Sequence, residues 1–310
     1  MSNSFELINI IYIVINWIIY SKIKLNIVIV LILFICITLF LKSSTHNTFK
    51  QNTDSPKTDT SKNYNIKNTS ILPDILEEIS GIAWLSENTF ACVQDEMGHI
   101  FIYDTQLNTI INDIKFDGAG DYEDITINKY DAYILRSDGL IYEILDYNSK
   151  DRKISKIKTP FTEKNNMESL TFDKQNKRLL LTPKDKDLGK KRIKNIYQIP
   201  LQTKSFDTIP IIDIDLKSKK LESSKSKKTK KALRPSAIAV HPQTQDIYLL
   251  DSKNLQLLIL QSNGEILKLY NLNKHDFAQP EGITFSTDGH LFISNEANKN
   301  NANILEVELK

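Results

Sequence analysis

Three glutamates hold the same position in a five-residue pattern that the chain repeats five times. The pattern reads polar, small, aliphatic, small and bulky apolar; Glu123, Glu168 and Glu281 open three copies, and Ser80 and Ser236 open the other two. Carboxylate oxygens that converge on one point are hard ligands, which suit Ca²⁺ or Mg²⁺ better than a soft metal. The three glutamates therefore predict a divalent-cation site that would take Ca²⁺ or Mg²⁺.

The spacing of the copies predicts the fold that would bring these glutamates together. Successive copies begin 43, 45, 68 and 45 residues apart. A period in the forties built from strand-like segments is typical of propeller blades. Further apolar runs rich in Ile, Tyr, Phe and Leu follow the pattern, which indicates four-stranded antiparallel blades. We therefore expect an all-β protein, a β-propeller whose rotational symmetry gathers equivalent residues near its axis.

The number of blades depends on how the two ends of the repeat region meet. Five copies give five blades, and six stays open if an irregular blade escapes the pattern. Only two apolar runs, residues 291–294 and 304–309, follow the last copy, whereas residues 66–72 form an unassigned strand before the first. That strand would complete the last blade and close the ring. The long third interval holds one blade plus a solvated insertion, residues 217–233, with eight lysines.

The other positions of the pattern predict packing rather than chemistry. The second and fourth residues share one face of a strand because side chains alternate, and both are small. Small residues suit an innermost strand that is crowded around an axis. The aliphatic and bulky apolar positions are expected to be core and nothing more.

Strand order places the starts of the first strands and the loops between second and third strands on one face of the disc. That face gives further candidates for the site: Glu78, Ser80, Asp95, Asp121, Asn166, Ser236, Asp251, Asn295 and Glu296. Carboxylates that lie close together raise one another's pKa unless a cation neutralises them. Calcium, Arg136 and Arg234 are the candidate neutralising groups. Alternatively, each glutamate only caps the start of its strand.

The N-terminal 65 residues differ in composition from the repeats. Residues 25–41 carry no charge and reach the lower limit for a helix that spans a bilayer, so we expect a single transmembrane anchor there. Residues 1–24 form an apolar N-terminal segment, and residues 42–65 read as a flexible linker. These features predict a single-pass cell-membrane protein with the propeller, residues 66–310, outside the cytoplasm. A cleaved signal peptide is the alternative.

Several classes of protein are disfavoured by composition. The chain has 40 Lys and Arg against 38 Asp and Glu, a net charge of +2, and its lysine-rich insertion lacks aromatic residues, so we expect no nucleic-acid partner. Two cysteines in separate regions do not suggest a disulfide framework. No Gly-x-Ser-x-Gly or His-Glu-x-x-His motif occurs, and no catalytic residue is assigned. A monomer is expected.

The ordered set of motifs resembles a known family. Its elements are Ile79-Ser80-Gly81-Ile82, Tyr122-Glu123-Asp124-Ile125, Met167-Glu168-Ser169-Leu170, Pro235-Ser236-Ala237-Ile238, Gln279-Pro280-Glu281-Gly282-Ile283 and Ile293-Ser294-Asn295-Glu296. Together they resemble the SdiA-regulated (YjiK-like) family of bacterial envelope β-propellers. The resemblance implies a fold like that of calcium-dependent phosphotriesterase-like propellers, usually six-bladed, and a link to calcium-responsive regulation. The lysine-rich insertion and the count of five blades depart from that pattern.

Three hypotheses for the function follow. The first is a membrane-anchored sensory or interaction module that binds calcium at its acidic face, with a small ligand or a protein as partner. The second is a metal-dependent hydrolase of phosphoesters or lactones that uses the same face. The third is a structural platform for protein interaction in which the acidic ring has no ligand.

Overall fold

The computed structural model describes residues 63–189, 192–221 and 232–310. They form five separate four-stranded antiparallel sheets, which are the blades of a β-propeller. The segments predicted at 1–24 and 25–41, most of the linker at 42–65 and the middle of the insertion lie outside the described residues. Within the described ranges, no helix has the length and apolar character needed to cross a membrane.

The first three blades each consist of four strands that are consecutive in the chain. Blade 1 contains β2 (Ile79–Ser86), β3 (Thr89–Gln94), β4 (Met97–Asp104) and β5 (Thr109–Ala119). Blade 2 contains β6 (Tyr122–Asn128), β7 (Asp131–Arg136), β8 (Ile141–Leu145) and β9 (Lys153–Ile157). Blade 3 contains β10 (Met167–Asp173), β11 (Arg178–Pro183), β12 (Ile193–Pro200) and β13 (Asp207–Asp215).

The last blade closes the ring with a strand from the other end of the domain. Blade 4 contains β14 (Ala237–Val240), β15 (Ile247–Asp251), β16 (Gln256–Leu260) and β17 (Ile266–Asn271). Blade 5 contains β18 (Pro280–Phe285), β19 (Leu291–Asn295), β20 (Asn303–Leu309) and the N-terminal β1 (Tyr64–Ile71), which pairs with β20. The prediction of five blades closed by the N-terminal strand is confirmed.

The closing strand begins two residues earlier than the sequence predicts. Tyr64, placed in the linker by composition, is buried and packs edge-on against Phe277 with ring centroids 5.2 Å apart. A buried aromatic side chain removes a large apolar area from water, and this stabilises the strand that carries it. The insertion also has an ordered start, because Lys220 donates to the Ile266 carbonyl at 2.8 Å on the outer strand of blade 4.

Apolar side chains fill all five spaces between neighbouring blades. Each of the five buried clusters combines residues of two adjacent blades; the cluster between blades 2 and 3, for example, includes Leu135, Ile141, Leu170 and Leu179. Burying one such side chain stabilises the fold by roughly 1.5–3 kcal/mol. The blades are therefore held together by the same alternation that defines the strands.

The inner strands β2, β6, β10, β14 and β18 contact one another around the axis in that order. Polar residues of the repeated pattern bond directly between them. The Leu170 N–H donates to Asp124 Oδ2 at 2.8 Å, the Phe172 N–H to Thr126 Oγ1 at 3.0 Å, and the Trp84 N–H to Thr284 Oγ1 at 3.1 Å. These bonds satisfy backbone donors that would otherwise face the next blade unpaired.

Crowding at the axis also explains the small residues of the pattern. A Cβ atom added to Gly81 would lie 2.6 Å from Asp124 Cα, a distance that real contacts do not allow. Glycine is therefore required at this position because the backbone of the neighbouring inner strand comes so close.

Asp124→Ala tests the bonds between inner strands. Asp124 is buried and also accepts the Ile125 N–H at 2.8 Å, so the substitution leaves two buried donors unpaired. We expect the free energy of unfolding to fall by about 3 kcal/mol, and by less for Asp124→Asn, which keeps an acceptor. Chemical denaturation measures both. Asp151→Ala in an exposed turn is the control, expected within about 0.5 kcal/mol of wild type; equal losses at the two positions would contradict the assignment.

Candidate functional site

The first residue of the repeated pattern is a β-bulge in four of the five blades. The pairing register between first and second strands shifts at Ser80, Glu123, Glu168 and Glu281. In blade 4 the inner strand begins just after Ser236 and its register is regular. A bulge leaves one residue unpaired and re-aims its side chain, and bulges concentrate beside functional sites. The sequence pattern thus marks the place where four of the five inner strands depart from regular pairing.

Serine and glutamate serve different purposes at this position. Ser80 Oγ donates to the Tyr122 carbonyl at 2.7 Å, and Ser236 Oγ donates to the Pro280 carbonyl at 3.2 Å. Both serines are buried and join their inner strand to the next one. They are therefore part of the framework around the site, although the sequence grouped them with its candidates.

The three glutamates act on one another at the axial end of the inner strands, with Lys184 among them. Glu168 is only 7% exposed, forms an ion pair with the Lys184 ammonium and accepts Asn166 Nδ2 at 2.7 Å. Glu281 accepts the Ser252 hydroxyl at 2.9 Å. Burial acts to lower the pKa of Lys184, but attraction by Glu281, Glu168 and Glu123 raises it overall. We call these four residues the axial cluster.

One lysine does not neutralise the three carboxylates, of which Glu168 is buried and Glu123 and Glu281 are half-buried. Burial, reinforced by repulsion from Glu168 and Asp121, raises the pKa of Glu123 to about 10. Burial raises the pKa of Glu168 to about 7 even though Lys184 and Asn166 favour its charged form. Burial likewise raises the pKa of Glu281 against the opposing effects of Lys184 and Ser252. The raised pKa values of all three glutamates indicate that the axial cluster retains a proton at neutral pH, and Glu123, whose pKa is raised further than that of Glu168, is the candidate to hold it.

The cation in the cluster differs from the two arginines that the sequence proposed. Arg136 forms an ion pair with Asp138 at 2.6 Å, and Arg234 pairs with Asp185. Each arginine is thus neutralised by its own aspartate partner and not by the glutamates. The prediction of Arg136 or Arg234 as the neutralising base is wrong, because Lys184 takes that position.

The loop that carries Lys184 is fixed by a second, buried lysine. Lys194 on β12 donates to the carbonyls of Pro183 at 2.8 Å, Lys184 at 3.2 Å and Asp185 at 3.1 Å. Burial lowers the pKa of Lys194 to about 8. The Lys184 N–H also donates to the Asn166 carbonyl at 2.9 Å, which ties the loop to the start of β10. Lys184 therefore enters the cluster from a rigid support.

A second group of carboxylates lies beside the cluster, toward blades 1 and 5. Burial first, and then repulsion by Glu78, Glu96 and Asp121, raise the pKa of Asp95 to about 6. Burial and the charges of Glu281, Asp95 and Glu78 raise the pKa of Glu296 to about 7. The Ser137 hydroxyl donates to Asp121, and the Gln279 amide donates to Glu296. The negative potential of the cluster thus extends across this face.

The remaining candidates have structural partners. Asp251 is fully buried and accepts the backbone N–H groups of Arg234 and Asn254, each at 2.8 Å, which caps the end of β15. Asn295 donates to Asn303 Oδ1 at 2.9 Å. Asn166 has a left-handed backbone, φ 50°, and holds Glu168. These residues therefore hold neighbouring groups in place and are not members of the axial cluster.

No group of three or more His, Cys, Asp or Glu side chains in the described part of the chain has the arrangement of a metal site. The calcium site at Glu123, Glu168 and Glu281 stays a prediction.

The fold and the axial cluster define a five-bladed propeller with a buried, acidic axial site. The chain belongs to the SdiA-regulated family, whose model matches residues 57–301. This confirms the resemblance found in the sequence motifs. No curated protein matches the chain in sequence.

Solved structures are similar to the chain at low sequence identity. The glutaminyl cyclase of Myxococcus xanthus is similar with a TM-score of 0.55 and 9% identity, over 80% of this chain and 96% of that one. A virginiamycin B lyase from Staphylococcus aureus is similar with a TM-score of 0.43 and 14% identity, over 75% of this chain and 68% of that one. At these identities the likeness concerns the propeller alone.

The raised pKa values predict that the fold loses stability as pH rises. A carboxyl group whose pKa is higher in the folded than in the unfolded state stabilises the fold below its unfolded pKa, and this contribution disappears as pH rises through the folded pKa. For Asp95, Glu168 and Glu296 that window runs from about 4 to about 7. We therefore expect a lower Tm at pH 8 than at pH 5.

Glu123→Gln isolates the residue that holds the proton. At pH 8 the free energy of unfolding of this variant should exceed that of wild type by at least about 1 kcal/mol, because wild type must keep a proton on Glu123. This energy corresponds to a pKa shift of less than about one unit. Its pH profile should also be flatter. Glu163→Gln on an exposed loop is the matched control and should follow wild type. Identical pH profiles for Glu123→Gln and wild type would contradict the charge imbalance.

Proposed function

We propose that the protein is a membrane-anchored, extracytoplasmic binding module whose axial cluster takes a divalent cation, with calcium as the first candidate. The observation that carries this proposal is the set of three glutamates, one buried and two half-buried, that share a single lysine. A cation bound there would supply the positive charge that Lys184 alone does not, and hard oxygen ligands favour Ca²⁺ or Mg²⁺. The uncharged stretch at residues 25–41 supports the membrane anchor.

The partners of the three glutamates indicate which oxygens would receive the cation. Glu168 is engaged by Lys184 and Asn166, so it is the glutamate least free to change partner. Glu281 accepts only a neutral hydroxyl from Ser252 among the side-chain contacts described here. Glu123 carries the proton and must lose it to bind a metal. We therefore assign cation binding mainly to Glu123 and Glu281, with Glu168 and Lys184 as a fixed pair beside them.

Such a site would couple cation binding to proton release. Ligand carboxylates bind a metal only when they are deprotonated, so the metal and the proton compete for Glu123. The raised pKa of Glu168, Glu296 and Asp95 adds further protons that a cation would displace between pH 6 and 7. Affinity for the cation should accordingly rise from acidic to mildly alkaline pH.

Calcium-dependent stabilisation of the full-length chain tests the proposal. A ligand that binds only the folded state at 100 times its Kd adds about 2.7 kcal/mol. We expect millimolar Ca²⁺ at pH 8 to raise the Tm of wild type by several degrees, and to leave the Tm of the Glu123→Gln/Glu281→Gln variant unchanged. Differential scanning fluorimetry, with Mg²⁺ in parallel, measures both.

Glu163→Gln again serves as the control and should respond to Ca²⁺ as wild type does. An equal rise of Tm in wild type and in the double variant would place calcium elsewhere on the molecule. No rise in wild type with either Ca²⁺ or Mg²⁺ would refute a divalent-cation site.

A further inference from the structure

A cavity opens on the axis at the end opposite to the axial cluster. It has a volume of about 820 Å³ and is lined by residues from the inner strands of all five blades. The axial cluster lies at the first residue of each repeated pattern, and this cavity lies around the fifth. Four residue steps along a strand separate the two positions by about 13 Å. We call this cavity the apolar well.

The floor and the walls of the apolar well come from successive positions of the pattern. Its floor is formed by buried residues of the third and fourth positions, among them Ile82, Leu170 and Ala239. Its walls are formed by the bulky fifth residues, which remain half-exposed: Trp84, Ile127, Phe172, Val240 and Phe285. These side chains, expected to be core alone, therefore present an aromatic and aliphatic surface to an open space.

The rim of the well is polar and has one sign of charge. Lys129 and Lys174 are exposed and lie in the turns that follow β6 and β10. Asn128, Gln175 and Gln245 complete the polar part of the rim. Among the described residues that line the well, none is an aspartate or a glutamate. The two ends of the propeller axis thus differ in polarity and in charge.

We propose that the apolar well binds a small amphipathic anion, with its apolar body against the fifth-position side chains and its acidic group at Lys129 and Lys174. Pockets of roughly 300–1,000 Å³ with mostly apolar walls and a few polar groups are the usual sites for small molecules. The apolar walls select the body of the ligand, and the two lysines select its charge. This site is independent of the cation site proposed at the other end of the axis.

The shape and the charge of the well favour a free small molecule over a membrane surface. Binding to an anionic bilayer uses clusters of about four to eight basic residues beside a protruding apolar surface. The well instead is concave and has two lysines. A soluble carboxylic acid with a medium-length alkyl or aromatic body has the chemistry that this site would recognise.

Trp84 provides a reporter for occupancy of the well. The chain has two tryptophans, so the Trp17→Phe variant of the full-length protein leaves Trp84 as its sole indole. We would titrate this protein, reconstituted in zwitterionic nanodiscs, with decanoate, decanol and decylamine. Decanoate should produce a saturable change in Trp84 emission, and the neutral alcohol and the cationic amine should bind at least about fivefold more weakly.

Variants of the rim and of the wall identify the site. In the same background, Lys129→Gln/Lys174→Gln should weaken decanoate binding about fivefold and leave decanol unchanged, because two exposed charge contacts are removed. Lys115→Gln/Lys153→Gln, on exposed positions of outer strands, is the matched control and should bind as the parent does. Val240→Phe narrows the well and should weaken the saturable change, with folding checked by Tm.

Three results would overturn the proposal. The first is the absence of a saturable change in Trp84 emission with decanoate. The second is equal binding of decanoate by the parent and by the Lys129→Gln/Lys174→Gln variant. The third is equal affinity for the acid, the alcohol and the amine, which would show partition into apolar surface without recognition of charge.

Discussion

Five inner strands share one axis, and the crowding of their backbones determines what each position of the repeated pattern can carry. Gly81 has no side chain because the backbone of Asp124 occupies that space. Asp124 and Thr126 accept backbone donors of the next inner strand, so these donors are bonded within the protein. The blade that closes the ring brings Thr284 to the Trp84 N–H in the same manner. The close packing of the inner strands therefore explains why the residue pattern repeats in the sequence.

The same crowding creates the electrostatic problem from which function follows. Bulges at Glu123, Glu168 and Glu281 direct three carboxylates to one end of the axis, where Glu168 is buried and the other two are half-buried. Isolated buried charges are costly, so the group must be paired, protonated or bound to a cation. Lys184 supplies one positive charge and Glu123 keeps a proton. The remaining deficit is the physical basis for a cation site.

Much of the fold can be predicted from the sequence, but only part of the candidate site can. The recurrence of the pattern predicts the blades, and the unassigned strand near residue 66 predicts ring closure, because both depend on local alternation and spacing. The equivalence of Glu123, Glu168 and Glu281 follows from symmetry alone. Hydrogen-bond partners do not follow from symmetry, so Ser80 and Ser236 were grouped with the glutamates although they join strands.

Lys184 was the residue that sequence reasoning missed as the partner of the glutamates. Its loop lies on the predicted face, which was a usable signal, but arginines there were favoured as bases. Their own neighbours Asp138 and Asp185 neutralise them, and such local pairing depends on loop geometry that a pattern does not encode. The half-exposed state of Trp84 and Phe172 also does not follow from the pattern, because an apolar residue in an inner strand is usually buried.

The central claim is that the axis holds more buried carboxylates than cations, so that one carboxyl group stays protonated in the cation-free protein at neutral pH. Infrared difference spectroscopy of wild type against Glu123→Gln, in cation-free buffer at pH 7, measures this directly through the band of a protonated carboxyl group. The account predicts that this band is weaker in the variant than in wild type by the contribution of one carboxyl group, because other groups with raised pKa values, Glu168 and Glu296 among them, contribute to it in both proteins. A wild-type spectrum with only ionised carboxylates and no difference from the variant would contradict the account.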